Sequence, residues 1–148
     1  MPAHFLIIDA RFYHDIADEL VKGASAELDT RGATYERISV PGVLEIPAAL
    51  SFVLDSGRSA SFDGFVLLGC VIRGETGHYD IVANESARAV MAMAVDIGLA
   101  VGNGILTVEN SEQAWARARV TEKNKGATAA AAAFQMAALR RELGLDNG

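Results

Sequence analysis

Two hydrophobic periods alternate along the chain and divide it into strands and helices. Phe5-Leu6-Ile7-Ile8 is a short unbroken apolar run closed by Asp9, the mark of a buried strand. Ile16, Leu20, Ala24 and Leu28 then recur along one helical face, with Asp15, Asp18, Glu19 and Lys22 on the others and Gly32 as the stop. Thr34–Val40 is β-branched and partly alternating, which predicts a second strand. After Pro41-Gly42, Ile46, Leu50 and Val53 or Leu54 mark a helix whose Pro47 is tolerated only in the first turn. Residues 62–72 form the most apolar stretch and predict the central strand. The polar glycine loop Arg73-Gly74-Glu75-Thr76-Gly77 opens a long helix with Val82, Ser86, Ala89 or Val90, Met93 and Ile97 on its buried side. Val101–Val108 is a fourth strand, interrupted at Gly102-Asn103-Gly104. Asn110 and Gln113 have capping-box spacing and open a short helix carrying Trp115. Asn124-Lys125-Gly126 breaks the chain before an alanine-rich helix at residues 127–143. That helix ends with Arg140 and Arg141 in its last turn and Gly144 beyond.

Four alternations of strand and helix predict an α/β fold, a parallel sheet with helices on both faces. No repeat and no long linker divides the chain, so residues 1–148 are read as a single domain. Ligands in such folds bind beyond the carboxyl ends of the strands. This assigns segments 9–13, 41–47, 69–80 and 102–110 to one functional rim.

Composition removes several classes of function. An apolar fraction of 51% and a charged fraction of 22% suit a globular core and exclude a disordered chain. Cys70 is the single cysteine, so there is no disulfide framework. No apolar run is long enough for a membrane span and the N-terminus lacks signal-peptide character, which predicts a soluble cytoplasmic protein. Thirteen basic against nineteen acidic residues give a net charge of −6, which argues against nucleic acid as the main partner. A small anionic ligand needs only a few donors and stays open. The three histidines, at 4, 14 and 78, have no zinc-site spacing.

The richest segment runs from Gly69 to His78. An apolar strand passes into a glycine loop and a helix start, where unpaired amides favour an anion. Thr76 adds a hydroxyl, and His78 adds an imidazole, a side chain suited to proton transfer. The plainer reading is a tight turn with a surface histidine. Arg117 and Lys125 either grip a phosphate together or are solvated surface charges. Glu45, in Pro41-Gly42-Val43-Leu44-Glu45-Ile46-Pro47, either caps a helix or reads a polar heterocycle. Phe12 stacks on a planar ring or simply packs. Cys70 reads as a small buried hydrophobe, and Trp115 as a packing residue. His4 and His14 are assigned no role.

In order along the chain, Ala10-Arg11-Phe12, segment 41–47, segment 69–80, Gly104-Ile105-Leu106-Thr107, Glu112-Gln113-Ala114 and Asn124-Lys125-Gly126 resemble the 6,7-dimethyl-8-ribityllumazine synthases of riboflavin biosynthesis. The resemblance implies a flavodoxin-like three-layer α/β/α sandwich with a four-stranded parallel sheet. It also implies a transferase that condenses 5-amino-6-(D-ribitylamino)uracil with 3,4-dihydroxy-2-butanone 4-phosphate, releasing phosphate and water, with no cofactor and no metal. By position, Phe12 would stack on the pyrimidine, while Val43, Leu44 and Glu45 hold the ribityl chain. Cys70, Val71 and Ile72 would line the pyrimidine pocket, Glu75, Thr76 and Arg117 hold the phosphate, and His78 transfer protons. Lys125 would lie near the ligand. Asn103 stands where many members carry an aromatic residue that covers the heterocycle from a neighbouring subunit. That departure keeps open a second function, a catalytically weak flavin- or lumazine-binding relative of the same fold. The family implies a homo-oligomer, expected to be a pentamer, with sites between subunits. Arg119-Val120-Thr121-Glu122-Lys123 departs from the glycine-containing stretch of shell-forming members and favours a free pentamer. A receiver-like signalling domain is a third expectation, poorly served because only Asp9 suggests an acidic strand end.

Overall fold

A computed structural model describes residues 1–145. Four strands, β1 (His4–Ala10), β2 (Thr34–Val40), β3 (Gly64–Ile72) and β4 (Val101–Val108), form one parallel sheet in the order β2-β1-β3-β4. Five helices connect and cover it: α1 (His14–Thr30), α2 (Ile46–Asp55), α3 (His78–Ile97), α4 (Ser111–Ala118) and α5 (Lys125–Glu142). The predicted three-layer α/β/α sandwich is therefore present.

Pleating sends alternate strand residues to opposite faces, and each face has its own core. Phe5 and Ile7 of β1 meet Leu20, Ala24 and Leu28 of α1 and the alanines of α4 and α5. Leu6, Ile8 and Ala10 meet Ile46 and Leu50 of α2 and Val82 and Val90 of α3. β3 is central and almost wholly buried, as its apolar run predicts, whereas β2 is an edge strand with a largely exposed face.

Several expectations change in detail. β4 is continuous through Gly102-Asn103-Gly104, because ladder hydrogen bonds need no side chains. The glycine at 102 serves the neighbouring layer: a Cβ there would collide with the backbone of Ala129 in α5. Phe62 lies just before β3, after a short 3-10 turn at Ser59–Ser61, and is buried all the same. α5 begins at Lys125, directly after Asn124 in the left-handed region at φ 48°. The buried stripe of α3 is narrow, comprising Val82, Ser86 and Val90, with Met93 partly covered. Ile97 was expected inside and is 54% exposed, alongside outward-facing Ile81, Met91 and Val95. The Asn110–Gln113 cap forms: Asn110 Oδ1 accepts from the Gln113 amide at 2.8 Å, and Gln113 Oε1 accepts from the Glu109 amide at 2.8 Å.

Asp9 does not stand at an open strand end. It is fully buried within β1 and held by three neighbours. Arg37 Nε donates to Oδ1 at 2.9 Å, Arg11 Nη1 to Oδ2 at 2.9 Å, and the Ser39 hydroxyl to Oδ1 at 3.0 Å. Burial alone would raise its pKa; the bonds from Arg37, Arg11 and Ser39 outweigh it and hold the carboxyl below its usual range. A carboxylate already spent on two guanidiniums has none of the open acidic cluster that a receiver domain needs. No helix of the described residues is long and apolar enough to cross a membrane.

Candidate active site

Strand ends of unequal length create the site. The last β1–β3 pairing is Asp9 with Leu68, and β1 stops at Ala10, while β3 continues to Ile72 beside Val108 of β4. Cys70, Val71 and Ile72 therefore form a ledge beyond the end of β1. A cleft of about 420 Å³ lies over it, in the place where parallel sheets put ligands.

One wall comes from the chain after β1 and β2. Phe12 is 72% exposed, with its ring edge-on to Tyr13 at 4.9 Å, so it presents a free aromatic face. Arg11 ties this turn down, its amide donating to Val40 O at 2.8 Å and its guanidinium to Asp18 at 2.7 Å. Val43–Glu45 is a 3-10 turn seated on β3. Gly69 permits that seating, since a Cβ there would lie 2.8 Å from Val43 Cγ2. Glu45 leads into α2 without any side-chain capping bond, which disposes of the capping alternative; its carboxylate is exposed on the cleft lining.

The opposite wall is the loop from β3 into α3. Thr76 Oγ1 accepts from the His78 amide at 3.3 Å, and His78 is the first residue of α3. Among the described residues, the amides of the exposed residues 74–77 donate to no chain acceptor and precede a helix start of positive partial charge. The His78 ring is exposed and, among the described residues, has no hydrogen-bond partner, so it is placed to meet a ligand.

Electrostatics separates reactive groups from inert ones. Burial pushes the Cys70 thiol up to about 12, so it is a protonated wall residue and not a nucleophile at neutral pH. Burial, then the neighbouring Cys70, also raises the Tyr13 phenol, leaving it a neutral donor. Among the described residues, no three His, Cys, Asp or Glu side chains cluster to hold a metal ion.

Phe12, Val43, Leu44, Glu45, Cys70, Val71, Ile72, Thr76 and His78 thus meet around one cleft. Glu75, Asn103, Arg117 and Lys125 lie outside its lining. Asn103 pairs with Leu67 early in β4, away from the rim assigned to segment 102–110, and its Oδ1 accepts from the Ile105 amide. Arg117 sits on α4 and donates to Gln113 O at 3.1 Å, and Lys125 is exposed at the start of α5. Tyr13 and Tyr79 also line the cleft; the sequence placed both in rim segments but gave neither a role. Tyr79 directly follows His78, and that adjacency was the available signal.

The sequence matches the 6,7-dimethyl-8-ribityllumazine synthase family over residues 2–141. It is 60% identical to 6,7-dimethyl-8-ribityllumazine synthase 1 of Rhizobium meliloti (strain 1021), covering 98% of this chain and 96% of the relative. The synthase of Agrobacterium fabrum is 57% identical, with 95% and 97% covered, and synthase 1 of Mesorhizobium japonicum 54%, with 96% and 88%.

Proposed function

The chain belongs to the 6,7-dimethyl-8-ribityllumazine synthase family, and we propose that its rim cleft condenses 5-amino-6-(D-ribitylamino)uracil with 3,4-dihydroxy-2-butanone 4-phosphate, releasing phosphate and water. The observation that carries this is the convergence of a free aromatic face at Phe12 with the open amides and imidazole of the β3–α3 loop, across one cleft.

The chemistry asks little of the protein's own nucleophiles. The uracil's amine attacks the ketone, so the protein supplies proximity, orientation and proton movement. Phe12 stacks on the pyrimidine, and the ledge of Cys70, Val71 and Ile72 meets its polar edge with backbone groups. Val43, Leu44 and Glu45 hold the ribityl chain. The phosphate rests on the loop at Glu75, through its amide, and on Thr76. His78 then exchanges protons with the reacting carbons and the departing phosphate.

The remaining candidates suit a site shared between subunits. Asn103, Arg117 and Lys125 lie outside the cleft of their own chain, and in this reading a neighbour supplies them: Asn103 over the heterocycle, Arg117 to the phosphate, Lys125 close by. A pentamer of single-domain chains (residues 1–148), working in the cytoplasm, is part of the same proposal. The outward apolar residues Ile81, Met91, Val95 and Ile97 of α3 support it, because they need a cover. The relatives' names favour a synthase over a catalytically weak binder.

Mixing both substrates with the purified protein and following lumazine absorbance tests the reaction. Acceleration over the spontaneous condensation is expected, and His78→Ala retains part of it because proximity survives. A rate equal to the uncatalysed one overturns the proposal.

A further inference from the structure

The β3–α3 loop is held at very few points. A Cβ added at Gly74 or Gly77 would meet nothing, so no neighbouring layer packs on those positions. Among the described residues, its one backbone tie to another strand is the Arg73 amide on Val108 O at 2.9 Å; the others are local, the His78 amide on Thr76 Oγ1 and the Asp80 and Ile81 amides on Gly77 O at 3.1 and 3.3 Å. Yet this loop presents the free amides and the first turn of α3, and His78 with them.

One side chain spans the gap. Arg73 Nε lies 3.0 and 3.3 Å from the two carboxylate oxygens of Glu109, just beyond β4. Its Nη1 lies 3.5 Å from Asp80 in the first turn of α3, and its Cζ sits 4.1 Å over the ring of Tyr79. A planar guanidinium can serve a carboxylate fork, a second carboxylate and an aromatic face together, which an ammonium cannot. Glu109 is itself secured, its amide bonded to Gln113 Oε1 within the cap of α4. We infer that Arg73 and Glu109 form a brace that positions the β3–α3 loop, and so the phosphate amides and His78, for the phosphate-bearing substrate. Both are positioning residues, because neither lines the cleft. The inference rests on the proposed function for its substrate.

Two roles for Arg73 make opposite predictions. Were it only a source of positive potential for the phosphate, Glu109→Gln would unmask its charge and tighten the phosphate substrate. As a brace, Glu109→Gln and Arg73→Gln should each lower kcat/KM for the butanone phosphate about tenfold, the scale expected of a sub-ångström misplacement. The KM for the ribitylaminouracil should barely move. The double variant should be no worse than either single one, since the pair acts as a unit. A protein-only readout accompanies the kinetics: inorganic phosphate is titrated while the His78 ring protons are followed by NMR. Wild type should show a saturable shift, and both single variants a weaker one.

Wild-type constants and an unchanged phosphate shift in the variants overturn the brace and leave the synthase proposal standing. Tighter phosphate binding in Glu109→Gln, or an additive loss of about a hundredfold in the double variant, also overturns it. A wild type that forms no lumazine above background overturns the proposed function, and the phosphate titration then decides the brace alone: a weaker shift in the variants supports it and an equal one removes it.

Discussion

Asp9 is the residue on which the rim turns. It is a fully buried carboxylate, but its two guanidinium partners reach solvent, with side-chain exposures of 29% for Arg11 and 39% for Arg37. Asp9→Ala removes the buried charge itself and leaves guanidiniums that reach solvent, so the cost is that of lost charged hydrogen bonds, about 2 kcal/mol. Asp9→Ala should therefore lower the unfolding free energy by that amount, seen as a lower denaturant midpoint at unchanged slope. The pH dependence has a definite sign. The folded carboxyl titrates below its unfolded value of about 3.9, so its contribution is complete above that pH and is lost as pH falls through the lower folded value. Asp9→Asn should flatten the acid limb of stability against pH without tilting the neutral region. None of this was visible in the sequence, where Arg37 stands 28 residues from Asp9 and only strand pairing joins them. Thr76 and His78 were visible because a glycine loop after an apolar strand declares its own position, and Phe12 because it follows the end of a buried strand. Tyr13, Tyr79 and Arg73 were placed on the rim only as parts of their segments, since a single aromatic or cation has no period that gives it a role.

Elements are legible in the sequence where the apolar residues keep to one face, as in α1, or form an unbroken run, as in β3. The face of α1 and the burial of β3 follow from their patterns. α3 was read less well because apolar residues lie on both its covered and its open sides. Counting period cannot say which side meets the sheet, and Ile97 fell on the wrong one. Gly102-Asn103-Gly104 misled in the opposite direction. Glycine weakens a strand by propensity, but here the close approach of α5 decides. Gly102→Ala should force α5 away from β4 and cost about 1–3 kcal/mol, the range for overpacking against a fixed wall. Calorimetry would register it as a lower melting temperature. An unchanged one would mean that the helix slides freely.

At the scale of the whole molecule, the outer side of α3 is an exposed apolar surface. Val95 is 76% exposed, and a charge there should leave an isolated chain nearly unaffected. In an assembly that buries it, Val95→Glu strands a carboxylate in an apolar contact. Light scattering should then show wild type near the mass of five chains and Val95→Glu shifted toward one. Equal masses would free α3 from any part in assembly. Lumazine formation should fall with the mass, because a monomer loses whatever a neighbour contributes at Asn103, Arg117 and Lys125.

The ledge formed by β3 beyond β1 also sets a rule for redesign. Each strand residue advances about 3.3 Å, and successive side chains point oppositely. Lengthening β1 past Ala10 would therefore shrink the cavity in discrete steps, and each added residue would send its side chain to the face opposite its predecessor's. Ligand size in this architecture is accordingly quantised by strand register, while the surrounding loops trim it continuously.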